Sequence, residues 1–278
     1  MVCIAKSLLR SLRAQAPGGL CRQGPGGLCR RGPGILPDVT RPLIAAHRGV
    51  ATGAAENTIE AFTNAIDLGA DMIEFDVRRT RDGELIAFHD ALVAGTPVGA
   101  LTLDEIAAAK GVRPPSLGDV LGACAGKIRL DVELKEDGYV PEVMAALKAA
   151  LSRAGADAAG QVVTSFLPTV VAQAKDAFPE VKTGLLVGTD APLHHVRSYW
   201  HQVFPVGIAR QARADYLAPN YRLARYGVVA RAAAAGLPCL LWTVNDAAEI
   251  ARFATDPRIA AIITDEAATA LGIVSGAA

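Results

Sequence analysis

Four short segments of this 278-residue chain place chemically capable side chains at tight spacing: His47-Arg48, Glu74-x-Asp76, His89-Asp90 and Asp131-x-Glu133-x-Lys135. Carboxylates two apart share one face of an extended strand, so Glu74 points with Asp76, and Asp131 with Glu133 and Lys135. If those faces turn into a protein interior, the acids repel one another and lose hydration, at several kcal/mol for each uncompensated charge. Two arrangements relieve that conflict. The acids pair with Arg48, Arg78 or Lys135 as ion pairs, or they hold a hard divalent cation such as Mg²⁺ or Ca²⁺, which prefers oxygen ligands. A third acid on a neighbouring strand and two nearby histidines favour the cation. His47 and His89 suit paired general acid and base work, because imidazole gains and loses a proton near neutral pH. Arg48 offers a fork of donors for a phosphoryl group, and Lys135 a point charge.

The elements that must position these groups follow from the hydrophobic pattern. Short, almost continuously apolar runs at residues 43–47, 72–77, 128–134, 161–165, 182–187, 215–218, 238–244 and 259–264 read as parallel strands covered on both faces. Helical patterns at 58–68, 140–153, 167–178, 222–235 and 247–254 lie between them. Residues 84–88, after Arg81-Asp82-Gly83, read as a hairpin partner of the second strand. Eight strands alternating with helices predict an α/β fold, a (β/α)₈ TIM barrel, with a doubly wound sheet as the alternative. No Gly-x-Gly-x-x-Gly follows the first strand, which counts against dinucleotide binding. In a barrel the active groups gather at the C-terminal strand ends, where His47, His89, Ser165-Phe166, Trp242 with Asn245, and Thr264-Asp265 all fall.

Residues 16–37 are rich in Gly, Pro and Arg and contain a near-repeat of Gly-Gly-Leu-Cys-Arg. Such a composition buries too little apolar surface to fold alone, so residues 1–40 are expected to be a disordered basic extension, with 41–278 as one catalytic domain. Seven of the 28 basic residues but one of the 28 acidic ones precede Leu43, which leaves the body with a net charge of −6. An acidic body argues against nucleic acid as partner. The five cysteines form no CxxC pair and suggest a reducing compartment. No apolar run is long enough for a signal segment or a stable membrane insertion, so a cytoplasmic location is expected. His194, His195 and His201 read as surface or packing residues.

Three blocks together resemble the glycerophosphodiester phosphodiesterase family. They are His47-Arg48-Gly49 with Glu56-Asn57-Thr58; the run Gly69 to Val77 followed by Thr80, Asp82-Gly83 and His89-Asp90; and Val132-Glu133-Leu134-Lys135. The resemblance implies a barrel of the phosphatidylinositol-phospholipase-C-like phosphodiesterase type that cleaves glycerophosphodiesters to glycerol 3-phosphate and an alcohol. It implies one Mg²⁺ or Ca²⁺ on Glu74, Asp76 and Glu133, with His47 and His89 as the acid/base pair. Arg48 and Lys135 then contact phosphate, and Phe166, Trp242 and Glu56 belong to the substrate pocket. Glu56 reads equally as a first-turn helix acid beside an Asn57 cap. One departure is clear. Where the family carries a polar, Thr-rich opening to a helical insertion, this chain has the short, mostly apolar stretch 91–99. An abbreviated lid and a greasy mouth would admit lipid-like diesters, which makes a lysophospholipase D-type activity an alternative. A class I aldolase-type Schiff-base enzyme using Lys135 is a further one, opposed by the acids flanking that lysine. A relative that has lost catalysis and only binds a phospho-ligand is opposed by the retained acids and histidines.

Overall fold

The computed structural model describes residues 41–51, 53, 55–188 and 202–276; the expectations for residues 1–40 and for His194, His195 and His201 concern residues outside these. Eight parallel strands close on themselves: β1 (Leu43–His47), β2 (Met72–Arg79), β6 (Arg129–Leu134), β7 (Val162–Ser165), β8 (Lys182–Val187), β9 (Tyr216–Pro219), β10 (Cys239–Leu241) and β11 (Ile259–Thr264). β1 pairs with both β11 and β2, so no parallel edge is left open. The predicted hairpin is present: β3 (Leu85–Ala87) runs antiparallel to β2.

Strand alternation sorts the side chains into two layers. Leu43, Ala45, Met72, Val162, Leu186, Tyr216, Ala218, Leu240, Ala261 and Ile263 fill the barrel interior. The alternate positions, such as Ile44, Ile73, Phe75, Val132 and Ile262, form the larger core with the outer helices. Continuing the interior parity toward the C-terminal ends replaces apolar residues with His47, Glu74, Asp76, Asp131, Glu133, Lys135, Thr164, Trp242 and Asp265. The barrel is therefore an apolar plug below and a polar chamber above.

Helix α1 (Ile59–Leu68) follows β1; its N-cap is Thr58, whose hydroxyl accepts from the Ala61 amide, and Gly69 ends it in the left-handed conformation. After β3 the chain forms a two-stranded ribbon, β4 (Leu92–Val93) with β5 (Thr96–Pro97), turned through Ala94 and Gly95. Helices α2 (Leu103–Lys110) and α3 (Leu117–Cys124) then start from Thr102–Glu105 and Ser116–Asp119 capping boxes. Val93 and Val98 are buried with Ile86, Phe88, Leu103 and Ile106 in a separate small cluster. The apolar character of residues 91–99 thus goes into packing the insertion onto β3, and Leu92 is left exposed.

The remaining outer helices are α4 (Val140–Ala154), α5 (Pro168–Ala177), α6 (Val206–Gln211), α7 (Val228–Ala234), α8 (Ala247–Ala254) and α9 (Ala267–Gly276). The helix expected over 222–235 is divided. Residues Tyr221–Tyr226 form a 3₁₀ turn, and Gly227, at φ 74°, separates it from α7. The seventh strand is shorter than expected, and its register with β11 shifts between Cys239 and Leu240. Cys124 and Cys239 are buried free thiols, and burial pushes the former up to about 11. Among the described residues, no helix is long and apolar enough to cross a membrane.

Candidate active site

The β2–β6 register sets Glu74 beside Asp131 and Asp76 beside Glu133, two rungs of paired carboxylates facing the chamber. Glu74, Asp76 and Glu133 are all buried, and each brings one oxygen within 4.8 Å of the others. Against four inward acids stand two fixed cations. Lys135 Nζ lies 2.6 Å from Asp76 Oδ1 and 2.5 Å from Glu133 Oε1. Asp131 Oδ2 is buried without a partner. Arg48 Nε lies 3.2 Å from Asp76 Oδ2.

The titration of these groups reports the same imbalance. Burial, with Asp76 and Glu133 alongside, pushes the Glu74 carboxyl well above the usual carboxylate range. Burial also raises Glu133, and it takes Asp131 to about 7. Asp76 goes the other way: burial opposes its ionisation, but Lys135 and Arg48 overcome it and hold the group low. Burial disfavours the Lys135 ammonium, yet Glu133, Asp76 and Glu74 outweigh it and raise that group. A lysine held charged in this way is a poor imine-forming nucleophile, which removes the physical basis of the aldolase reading. The residues fit a hard divalent ion. The donors are all oxygens, they converge, and the four inward carboxylates outnumber Arg48 and Lys135, the cations described in contact with them, a deficit that one such ion offsets.

Both histidines stand at the rim. His47 ends β1, its Nδ1 2.6 Å from Asp265 Oδ1 and its Nε2 3.9 Å from Glu74 Oε2. Asp265 is fixed in turn by Asn245, whose Nδ2 donates to Oδ2 at 2.6 Å and whose Oδ1 accepts from the Asp265 amide at 3.0 Å. The hydrogen bond to His47 holds the Asp265 carboxyl below its ordinary value. His89 lies just beyond β3, with Nδ1 3.1 Å from Asp90 Oδ1. Arg78 anchors its loop by donating from Nε to the His89 carbonyl at 2.9 Å while pairing with Glu136. Burial, with help from Lys135 and Arg48, lowers the His89 pKa.

A cavity of about 780 Å³ joins these groups. Its lining includes His47, Arg48, Glu74, His89, Glu133, Lys135, Phe166 and Trp242, so eight of the ten residues singled out from sequence meet there. Asp76 lies just beneath, fully buried. Phe166 and Trp242 pack edge to face at 5.5 Å and form an aromatic wall. Glu56 is placed apart. It pairs with Arg48 at 2.8 Å and lines a smaller side cavity, and the helix cap beside it is Thr58, with Asn57 turned inward. Sequence reading assigned no role in the site to Asp265, Asn245 or Asp131, whose signal was the polar residue at a strand end or on the inward parity, and it took Asn57 for a helix cap.

The sequence profile of the glycerophosphoryl diester phosphodiesterase family matches residues 47–269. A glycerophosphodiester phosphodiesterase of Caldanaerobacter subterraneus subsp. tengcongensis is 30% identical over 254 residues, covering 84% of this chain and 98% of that protein. The crystal structure of a glycerophosphodiester phosphodiesterase from Parabacteroides distasonis superposes with a TM-score of 0.68 at 22% identity, over 85% of this chain and 98% of the other. An Oleispira antarctica phosphodiesterase in complex with the product sn-glycerol-3-phosphate superposes with a TM-score of 0.65 at 20% identity, over 84% and 97% of the two chains.

Proposed function

The chain belongs to the glycerophosphoryl diester phosphodiesterase family and is a glycerophosphodiester phosphodiesterase; on that premise we propose that it releases glycerol 3-phosphate and an alcohol with a divalent cation, Mg²⁺ or Ca²⁺, and two histidines. The observation that carries this reading is the convergence of Glu74, Asp76 and Glu133 beneath a cavity rimmed by His47 and His89. The product seen in the Oleispira relative supports the substrate class.

When bound by Glu74, Asp76 and Glu133, the cation supplies positive charge against a non-bridging phosphoryl oxygen. Arg48 and Lys135, both held charged by buried acids, add to the field on the developing phosphorane. Asp265 accepts from His47 Nδ1–H, which leaves the Nε2 lone pair directed at the chamber. One histidine removes the proton from the nucleophile, a water or the glycerol 2-hydroxyl. The other gives a proton to the alkoxide as the P–O bond breaks, so the alcohol leaves neutral and the pair ends with its protons exchanged. If the 2-hydroxyl attacks, the same pair in reversed roles opens the cyclic phosphate with water. Phe166 and Trp242 cover an apolar flank of the substrate and exclude solvent.

The test is His47→Ala and His89→Ala on a panel of glycerophosphodiesters. Each substitution should lower kcat by about 10²–10⁴ with the fold retained; near-wild-type turnover of either variant would remove that histidine from the mechanism. The lysophospholipase D-type alternative loses part of its motive, since Val93 and Val98 are packed away from the mouth. Cleavage of micellar lysophospholipids at rates comparable to short diesters would restore it.

A further inference from the structure

We propose that Asn57 is a positioning residue for the cation site, a role that rests on the cation reading given above. Its side chain makes two contacts with one residue. Nδ2 donates to Asp76 Oδ2 at 2.8 Å, and Oδ1 accepts from the Asp76 amide at 3.3 Å. A carboxylate held at one oxygen and at its own backbone is restrained in rotation, which leaves Oδ1 as the oxygen that Asn57 does not take, while Asp76 offers one oxygen to the cluster it forms with Glu74 and Glu133. Asn57 is 5% exposed, so no water competes for the amide.

The backbone explains why an asparagine stands there. Asn57 is at φ 55° and Arg48 at φ 54°, left-handed conformations that cost a side-chain-bearing residue about 1–2 kcal/mol each and that asparagine tolerates best. The two are tied together, the Asn57 amide donating to the Arg48 carbonyl at 3.0 Å. The Arg48 amide in turn donates to Glu74 Oε2 at 3.1 Å. One strained turn thus orients two of the three acids, Asp76 through a side chain and Glu74 through a backbone N–H. Glycine would keep this turn and lose the amide. Glutamine would disfavour the turn and, being longer, would not place its amide on Asp76. Strain concentrated where ligands are aligned is expected of a preorganised site.

The experiment is calorimetric titration of the metal-stripped full-length protein with Ca²⁺ and with Mg²⁺, for wild type, Asn57→Gly and Asn57→Ala, with thermal melts run in parallel. Both variants should bind about 10–100-fold more weakly than wild type, and Asn57→Gly should melt close to it. If Asn57→Gly binds as tightly as wild type, only the backbone conformation matters and the proposal fails, while the cation site stands. If wild type itself takes up neither ion, the cation reading fails and this role falls with it. The wild-type protein gives a second measure that no folding defect can blur: the Asn57 side-chain amide resonances should shift on titration with Ca²⁺, and their failure to move while Ca²⁺ binds would also overturn the assignment.

Discussion

His47 and Asp265, 218 residues apart in sequence, meet at 2.6 Å where the first and last barrel strands pair. The His47 imidazole is therefore oriented by the closure of the barrel itself. Asp265→Asn keeps the size of the side chain but loses the charge that fixes the tautomer. It should lower kcat by about 10²–10⁴ with little change in KM, and steady-state kinetics will decide; a rise in KM alone, with kcat intact, would contradict the orienting role.

Lys135 holds two buried acids, so its removal should be felt most strongly without the cation. Lys135→Met leaves Glu133 uncompensated and Asp76 with Arg48 as its remaining cation, and should cost about 3–5 kcal/mol in metal-free protein. Adding Ca²⁺ or Mg²⁺ should recover part of the loss in thermal melts, because a ligand that binds the native state stabilises it. An equal destabilisation with EDTA and with saturating cation would mean the ion does not sit among these acids.

The His89 side chain favours its neutral form, because burial and the cations Lys135 and Arg48 outweigh Asp76 and Asp90. Its pKa is lower in the folded than in the unfolded chain. Between the folded value and the ordinary value near 6.5, the unfolded state therefore binds more protons, and this group's contribution to stability rises with pH through that window and falls on acidification. NMR titration of the metal-free protein should place the His89 midpoint below 6.5; a midpoint at or above it would contradict the described environment.

Gly49 and Gly83 both have positive φ, at 85° and 90°, but only one is crowded. A Cβ at Gly49 would lie 2.7 Å from the Ala61 backbone carbon, whereas one at Gly83 would meet nothing within 4 Å. Gly83→Ala should cost about 1–2 kcal/mol, the conformational penalty alone. Gly49→Ala should cost more, about 3 kcal/mol or above, since helix α1 must shift as well. Denaturant unfolding of the two variants compares them directly, and equal costs would show that the turn yields without strain.

The barrel was legible because parallel strands covered on both faces leave continuous apolar runs, and the acids were legible because a period of two is visible in Glu74-x-Asp76 and Asp131-x-Glu133. What sequence did not reveal depended on closure or on one backbone angle. Asp265 looked like a strand-end acid, and nothing local to it points to His47. Asn57 read as a helix cap, but its left-handed φ passes the cap to Thr58 and turns its amide onto Asp76. The apolar stretch 91–99 read as a greasy mouth, whereas Val93 and Val98 lie in a small core with Ile86 and Phe88. A hydrophobic residue carries no mark of whether it will face a neighbour or the solvent.

We propose that glycerophosphodiester cleavage by this chain requires a divalent cation held by Glu74, Asp76 and Glu133. Glycerol 3-phosphate release should be measured with metal-stripped wild-type protein, then after adding back Mg²⁺ or Ca²⁺, with Glu133→Gln treated in parallel. Turnover should vanish on stripping, return in wild type with one of the two ions, and stay low in Glu133→Gln. Full activity of the stripped wild-type enzyme would mean that cleavage needs no cation on these acids.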